Sequence, residues 1–287
     1  MIVNHCFDDL FVFADVLGFA ETQKQTFGTD VEFSHFKEFY SLIREQLSSL
    51  NEVGSGYIHG KPKWEMKVFT DNIVLGFPLL THDAELEIAT IVLSLAPYQL
   101  ALARRGFFVR GGITLGPLFM DEFVVYGPAL LEAHEIEHNL ARDPRIVVSK
   151  EVCELLKQHI YYRLDPEDAP QNKEFLVDTD GQIFVNYLGR CFRSSDNGGL
   201  DSDSLRMHKK HIEIGLHDHT SNPRIWAKYS WLATYHNYAV RDLDLNLSLT
   251  IDTKLHHDGP VRICPFLVSS WEMRCKQAEQ QDDPRIS

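Results

Sequence analysis

The stretch Phe11–Ala20, FVFADVLGFA, decides the reading of this chain: an apolar run delivers a single acid, Asp15, into a turn whose next residues include Gly18. A second stretch, Trp64–Phe77, WEMKVFTDNIVLGF, carries a single acid in apolar surroundings again, at Asp71. Burying a lone carboxylate costs on the order of several kcal/mol. Two such acids offset that cost if they face one another across divalent cations. All-oxygen ligation of this kind suits Mg2+ or Mn2+, ions that travel with nucleotide phosphates. The alternative for either acid is a turn or helix-cap role.

Outward from these stretches, the chain is that of an ordinary globular protein. Its 287 residues, 44% of them hydrophobic, suffice for one large domain or a domain with an appendage. A formal charge of -13 repels phosphate backbones and excludes nucleic acid as the main partner, while a nucleotide with its cations remains compatible. The cysteines, Cys6, Cys153, Cys191, Cys264 and Cys275, are odd in number and never spaced C-x-x-C, which points to a reducing compartment and to no thiolate zinc site. No apolar stretch approaches the roughly 20 residues that span a bilayer, and no signal-type segment opens the chain, so the expectation is a cytoplasmic protein without a membrane partner.

Between the two acids, Phe36, Phe39, Ile43, Leu47 and Leu50 recur at helical spacing behind a cap at Thr29 or Asp30. Asp71-Asn72 joins the runs Met66–Thr70 and Ile73–Phe77 as a hairpin turn. A helix is expected over Asp83–Arg105, stopped by Gly106 and kinked by Pro97. Strands at Phe107–Phe119 and Phe123–Tyr126, a helix at Ala129–Ala141, a strand at Arg145–Ser149 and a helix at Lys150–Ile160 complete the first region. The domains are accordingly read as 1–160 and 161–287. The second region holds a hairpin, Phe175–Tyr187, around Asp180-Gly181, a polar loop over Ser194–Ser204, and helices over Leu205–His217 and Arg224–Asp242.

In this order the motifs resemble the class III nucleotidyl cyclases, over about Phe11 to Lys150. FVFADVLGFA matches the strand of that family ending in D-[IV]-x-G-F, through Asp15, Val16, Gly18 and Phe19. VFTDNIVLGF matches its hairpin acid at Asp71, RGGITLG (Arg110–Gly116) the strand before its dimer arm, and VVYGPALLEA the segment entering its third helix. The resemblance implies an α/β (α+β sandwich) fold with a mostly antiparallel sheet, on which Phe36 and Ile43 of one helix and Ile91 and Leu95 of another are packed. It also implies a homodimer that completes two sites, while the region 161–287 is read as a C-terminal helical extension, with its hairpin, packed on that core. Asp15 and Asp71 would hold two divalent ions, Mn2+ or Mg2+, with the Val16 carbonyl as a further ligand, while Gly18, Phe19 and Ala20 line the triphosphate. The implied reaction is closure of a 3′,5′ ring on the α-phosphorus with loss of pyrophosphate.

Three positions depart from the family pattern. Lys67 fits the place of the base-reading lysine, but the partner acid falls at Val124. Counted from Gly127, the asparagine and arginine of the third helix fall at Leu131 and Glu135, and Arg110, Arg142 and Arg145 are the candidates for a relocated phosphate clamp. With the DNIV hairpin and the extra C-terminal region, these departures make the chain similar to the pyrimidine cyclases of Pycsar antiphage systems. The implied substrate is UTP, with CTP next, and the implied product is a cyclic nucleotide read by a separate effector protein. The alternative is a nucleotide-binding homologue without chemistry. The histidines His208, His211, His217 and His219 are read as a solvated helix face rather than a zinc site, and Trp226–Tyr238 as core or dimer surface.

Overall fold

Leu10, Phe11, Val12, Phe13 and Ala14 are each at most 6% exposed, so the strand they form is covered on both faces and lies inside its sheet. The computed structural model describes residues 7–17, 37–42, 44, 57–58, 61–62, 65–69, 71–79, 83–121, 123–166, 168–192, 200–242, 245, 247–252 and 260–262. The strands are β1 (Phe7–Val16), β2 (Tyr57–Ile58), β3 (Lys61–Pro62), β4 (Glu65–Phe69), β5 (Asn72–Pro78), β6 (Val109–Met120), β7 (Val125–Tyr126), β8 (Ile146–Val148), β9 (Phe175–Val177), β10 (Ile183–Val185) and β11 (Val261–Arg262). The helices used below are α1 (Glu85–Ala103), α2 (Pro128–Glu135), α3 (Lys150–Tyr161), α4 (Gln171–Glu174), α5 (Ser202–Asp218) and α6 (Pro223–Asp242). The fold is mixed α/β with a mostly antiparallel sheet, as expected.

By its contacts the chain divides into two compact units, Met1–Ile146 and Val147–Ser287. In the first unit the strand order is β4-β5-β1-β6, with β7 paired to β6 as a hairpin arm. Helix α1 packs on β5 and β6, burying Ile91 and Leu95, and it continues past Pro97. Contrary to the composition-based reading, α1 is long and apolar enough to cross a membrane, but 61% of it is buried within the fold, and it serves as a core helix. Helix α2 lies on β1 and β6, closing a core of Phe11, Phe13, Val74, Leu118, Ala129 and Ala133. Gly127 holds φ at 148°, and a Cβ there would meet the Pro117 carbonyl oxygen at 2.4 Å, which ties the α2 entry to a glycine. Phe39 and Leu42 are buried in the helical residues 37–42, whereas Phe36, Ile43, Leu47, Leu50, Thr29 and Asp30 lie outside the described residues.

The second unit carries the strand order β8-β10-β9-β11, with Gly181 at φ 81° turning β9 into β10. Its helices α5 and α6 enclose a polar chain among aromatic rings. Tyr187 Oη lies 2.8 Å from His208 Nε2, His208 Nδ1 lies 3.0 Å from His236 Nδ1, and His236 Nε2 lies 2.8 Å from the Leu249 carbonyl. A carbonyl only accepts, so His236 carries its proton on Nε2, His208 donates from Nδ1, and the Tyr187 hydroxyl donates to His208 Nε2. Tyr235 completes the layer, accepting the Leu188 amide at 3.0 Å and donating to Asn186 Oδ1 at 2.8 Å. His208 is thus a core residue and not part of a solvated helix face, which corrects the sequence reading at that position. Of its expected companions, His217 is exposed beside Asp218 and His219 stacks on Tyr229. The aromatic stretch of α6 is core at Tyr235, while Trp231 donates to Asp178 at 2.6 Å.

Candidate active site

Strand periodicity delivers the first acid. Residues alternate across a strand, so Asp15 shares a face with Phe11 and Phe13, the face on which α2 packs. Asp15 pairs in register with Asn72 of β5 on one side and Arg110 of β6 on the other. Phe69 pairs with Asn72, which puts Asp71 at the tip of the β4-β5 hairpin, and the Val16 amide donates to the Asp71 carbonyl at 3.3 Å. The sheet therefore brings together two acids separated by the whole Leu17–Thr70 connection. Acids that act as turns or caps in this protein accept backbone amides: Asp121 from Phe123 and Val124, Asp180 from Gln182, Asp201 from Ser204. The Asp15 and Asp71 carboxylates accept none among the described residues, which separates them from that group.

A third acid joins them from an element that the sequence reading took as plain helix. After Glu135 the chain passes through a π-helical turn, Ile136–Leu140, closed by the Ala141 amide on the Ile136 carbonyl at 2.8 Å. Such turns recur at functional sites because they re-aim one residue of a helix. Here Glu137 is turned inward, with its side chain 5% exposed and Oε1 2.6 Å from Arg110 Nη2. The same Nη2 stands 3.4 Å from Asp15 Oδ2. The close approach depends on two glycines. A Cβ on Gly111 would meet the Phe13 carbonyl oxygen at 2.3 Å, and one on Gly112 would meet the Ala133 carbonyl oxygen at 2.6 Å. Burial, reinforced by the charge and hydrogen bonding of Asp71 and by Glu137 against the opposing pull of Arg110, raises the Asp15 carboxyl to about 7.

The remaining candidates are distributed as follows. Gly18, Phe19 and Ala20 lie outside the described residues. Lys67 Nζ is buried with no hydrogen-bond partner among the described residues, and its charge is felt by Asp121. Asp121, three positions before Val124, is held below the usual carboxylate range by the Val124 and Phe123 amides and by Lys67. Val124 is 48% exposed and Leu131 68% exposed, and Glu135 is exposed as well. Arg145 is only 1% exposed and donates to the Leu140 carbonyl, and Arg142 donates to the Asn139 carbonyl, so both brace the end of the π-helical turn. Of the three arginines considered as clamps, Arg110 is the one at the acids.

Two carboxylates crowded enough to hold one of them partly protonated near neutrality form a hard, anionic oxygen set, and that set fits Mg2+ or Mn2+. No group of three or more His, Cys, Asp or Glu residues of metal-binding arrangement occurs among the described residues. No protein-family model matches the chain, and no curated protein matches it.

Proposed function

We propose that the protein is a metal-dependent nucleotidyl cyclase of the class III type, built as an α+β sandwich, that converts UTP to 3′,5′-cyclic UMP and pyrophosphate. The observation that carries this reading is the convergence of Asp15 and Asp71 at one end of the sheet, with Asp15 raised to about 7 by burial and by its neighbour. Asp15, Asp71 and the Val16 carbonyl would hold two divalent ions, Mn2+ or Mg2+, which would supply Lewis acidity at the ribose 3′-hydroxyl and the triphosphate. Arg110, a permanent cation 3.4 Å from Asp15, adds positive charge where phosphate negative charge collects and takes the role of the clamp missing at Leu131 and Glu135. Gly18, Phe19 and Ala20 contribute triphosphate contacts and Lys67 a base contact in this reading. Phe123, Val124, Tyr126 and Leu131 form an exposed apolar set on the β6-β7 arm and α2, which supports a homodimer. A cytoplasmic setting, in which the cyclic product signals phage infection to a separate effector, completes the proposal.

The test is direct: the pure protein is incubated with UTP, CTP, ATP or GTP and Mn2+, and products are resolved by chromatography. Cyclic UMP with stoichiometric pyrophosphate is the expected result, and cyclic CMP would shift the assignment to a cytidylate cyclase. The exposed, non-cationic Leu131 and Glu135 favour a second reading, a nucleotide-binding homologue without turnover, which the absence of any cyclic product would select.

A further inference from the structure

We propose that His134 and His138 together bind a divalent cation of the Zn2+ class, at a site separate from the two acids and independent of the nucleotide reading. The run His134–His138 reads H-E-I-E-H, two imidazoles four residues apart. On a helix this spacing puts both rings on one face, and H-E-x-x-H is a pattern in which paired helical histidines hold zinc. The structure turns the pattern into a juxtaposition. Where α2 passes into the π-helical turn, the two rings lie parallel, 3° between planes and 6.3 Å between centroids. Phe13 sets the first of them, meeting the His134 ring edge-on with centroids 5.4 Å apart. Two Zn–N bonds of about 2.0–2.1 Å span at most about 4.2 Å, and facing ring nitrogens come within that reach from such centroids. Both side chains are exposed, and neither has a hydrogen-bond or ion-pair partner among the described residues. The buried His208 and His236 show the other use of an imidazole pair: their nitrogens are taken by Tyr187, by one another and by the Leu249 carbonyl. Imidazole suits Zn2+, Ni2+ and Cu2+, whereas carboxylate oxygen suits Mg2+ and Mn2+, so the pair selects a different ion from Asp15 and Asp71. No third protein ligand joins the two rings among the described residues. The other coordination positions therefore fall to water, and the site is open and exchangeable, unlike the closed four-ligand sites of structural zinc.

The experiment is a calorimetric Zn2+ titration of the full chain, with Mg2+ in excess to fill carboxylate sites, repeated on His134→Asn, His138→Asn, Asp15→Asn and His217→Asn. Each of the first two variants should weaken Zn2+ binding at least about tenfold, since loss of even an outer-shell partner costs about 10–100-fold. Asp15→Asn, at the acids, and His217→Asn, at an exposed ring of the second unit, should each change affinity by less than about twofold. Unaltered affinity in either His134→Asn or His138→Asn overturns the paired site, and so does the absence of Zn2+ binding. A loss in Asp15→Asn equal to that in the histidine variants would assign the ion to the acids and overturn the proposal as well. The unsubstituted protein gives a second reading that no folding defect can confuse. Modification by diethyl pyrocarbonate, mapped by mass spectrometry, should spare His134 and His138 together in saturating Zn2+ while His217 stays reactive. Modification of both rings at saturation overturns the proposal.

Discussion

The Tyr187-His208-His236 chain of the second unit and the Asp15-Arg110-Glu137 group of the first both take titratable side chains out of water, and they meet the cost by different means. Along the Tyr187-His208-His236 chain each donor meets an acceptor, and the neutral tautomers follow from the Leu249 carbonyl at its end. Burial holds His208 well below its ordinary range and His236 down to about 4. Nothing in that cluster is left over for a ligand. In the first unit the acids outnumber the cation that faces them, and Asp15 is raised to about 7 although Arg110 Nε and Nη2 both donate to it. A balanced buried network specifies a fold, and the unbalanced one is the feature on which the proposed binding site rests.

The contrast breaks most visibly on truncation in the second unit. Tyr235→Ala removes a fully buried ring and the hydroxyl that joins Leu188 to Asn186, so unfolding free energy should drop by about 3–5 kcal/mol in denaturant titrations. Turnover per folded molecule should hold; a loss matching that of an Asp15 variant would erase the distinction.

Acid tests the same cluster without mutation. Because His236 is depressed in the fold to about 4 from an ordinary 6.5, its contribution is intact above about pH 6.5 and is lost as pH falls towards 4. The loss amounts to about 3 kcal/mol at ~1.36 kcal/mol per pH unit. Protonation would also set two ring donors against each other at the 3.0 Å His208-His236 contact. A melting temperature flat between pH 7 and 4.5 would show that the pair is not buried neutral.

At the acids the expected loss is chemical. Asp15→Ala or Asp71→Ala should lower turnover at least about a hundredfold, or about 2.7 kcal/mol of transition-state stabilisation, with the protein still folded. Falling thermal stability with activity retained would return both residues to the turn acids. The smallest effect sharpens the comparison from the other side: in metal-free protein, Asp15→Asn should raise the melting temperature. A raised carboxyl favours the fold below its unfolded value of 3.8 and loses that advantage as pH climbs to about 7. The gain from Asp15→Asn should therefore grow between pH 4 and 7 and then level off; a gain independent of pH would exclude charge as its cause.

Asp15 and Asp71 were legible because each is a local pattern, one acid at the end of an apolar strand and one at a hairpin tip, and pairing through β1 and β5 does the rest. Arg110 was legible as a candidate through its place before Gly111-Gly112, although not its partners. Glu137 was not legible. The run Ala129–Ala141 has an ordinary helical composition, and the π-helical turn that aims Glu137 inward is set by packing against β6, for which the glycine pair was the one available signal. His208 was misread for a related reason: on a helix of mixed polarity, neighbours from α6 and the Tyr187 segment decide which face is covered.

Periodicity and turn chemistry by themselves determined the hairpins, the helix over Glu85–Ala103 and the local setting of the two motif acids, because these depend on residues within a few positions of one another. The tertiary structure alone settled which charges meet. Arg110 divides itself between Asp15 and Glu137, and His208 turns inward to His236, through contacts between residues far apart in the chain whose cost and gain exist only once water has been excluded.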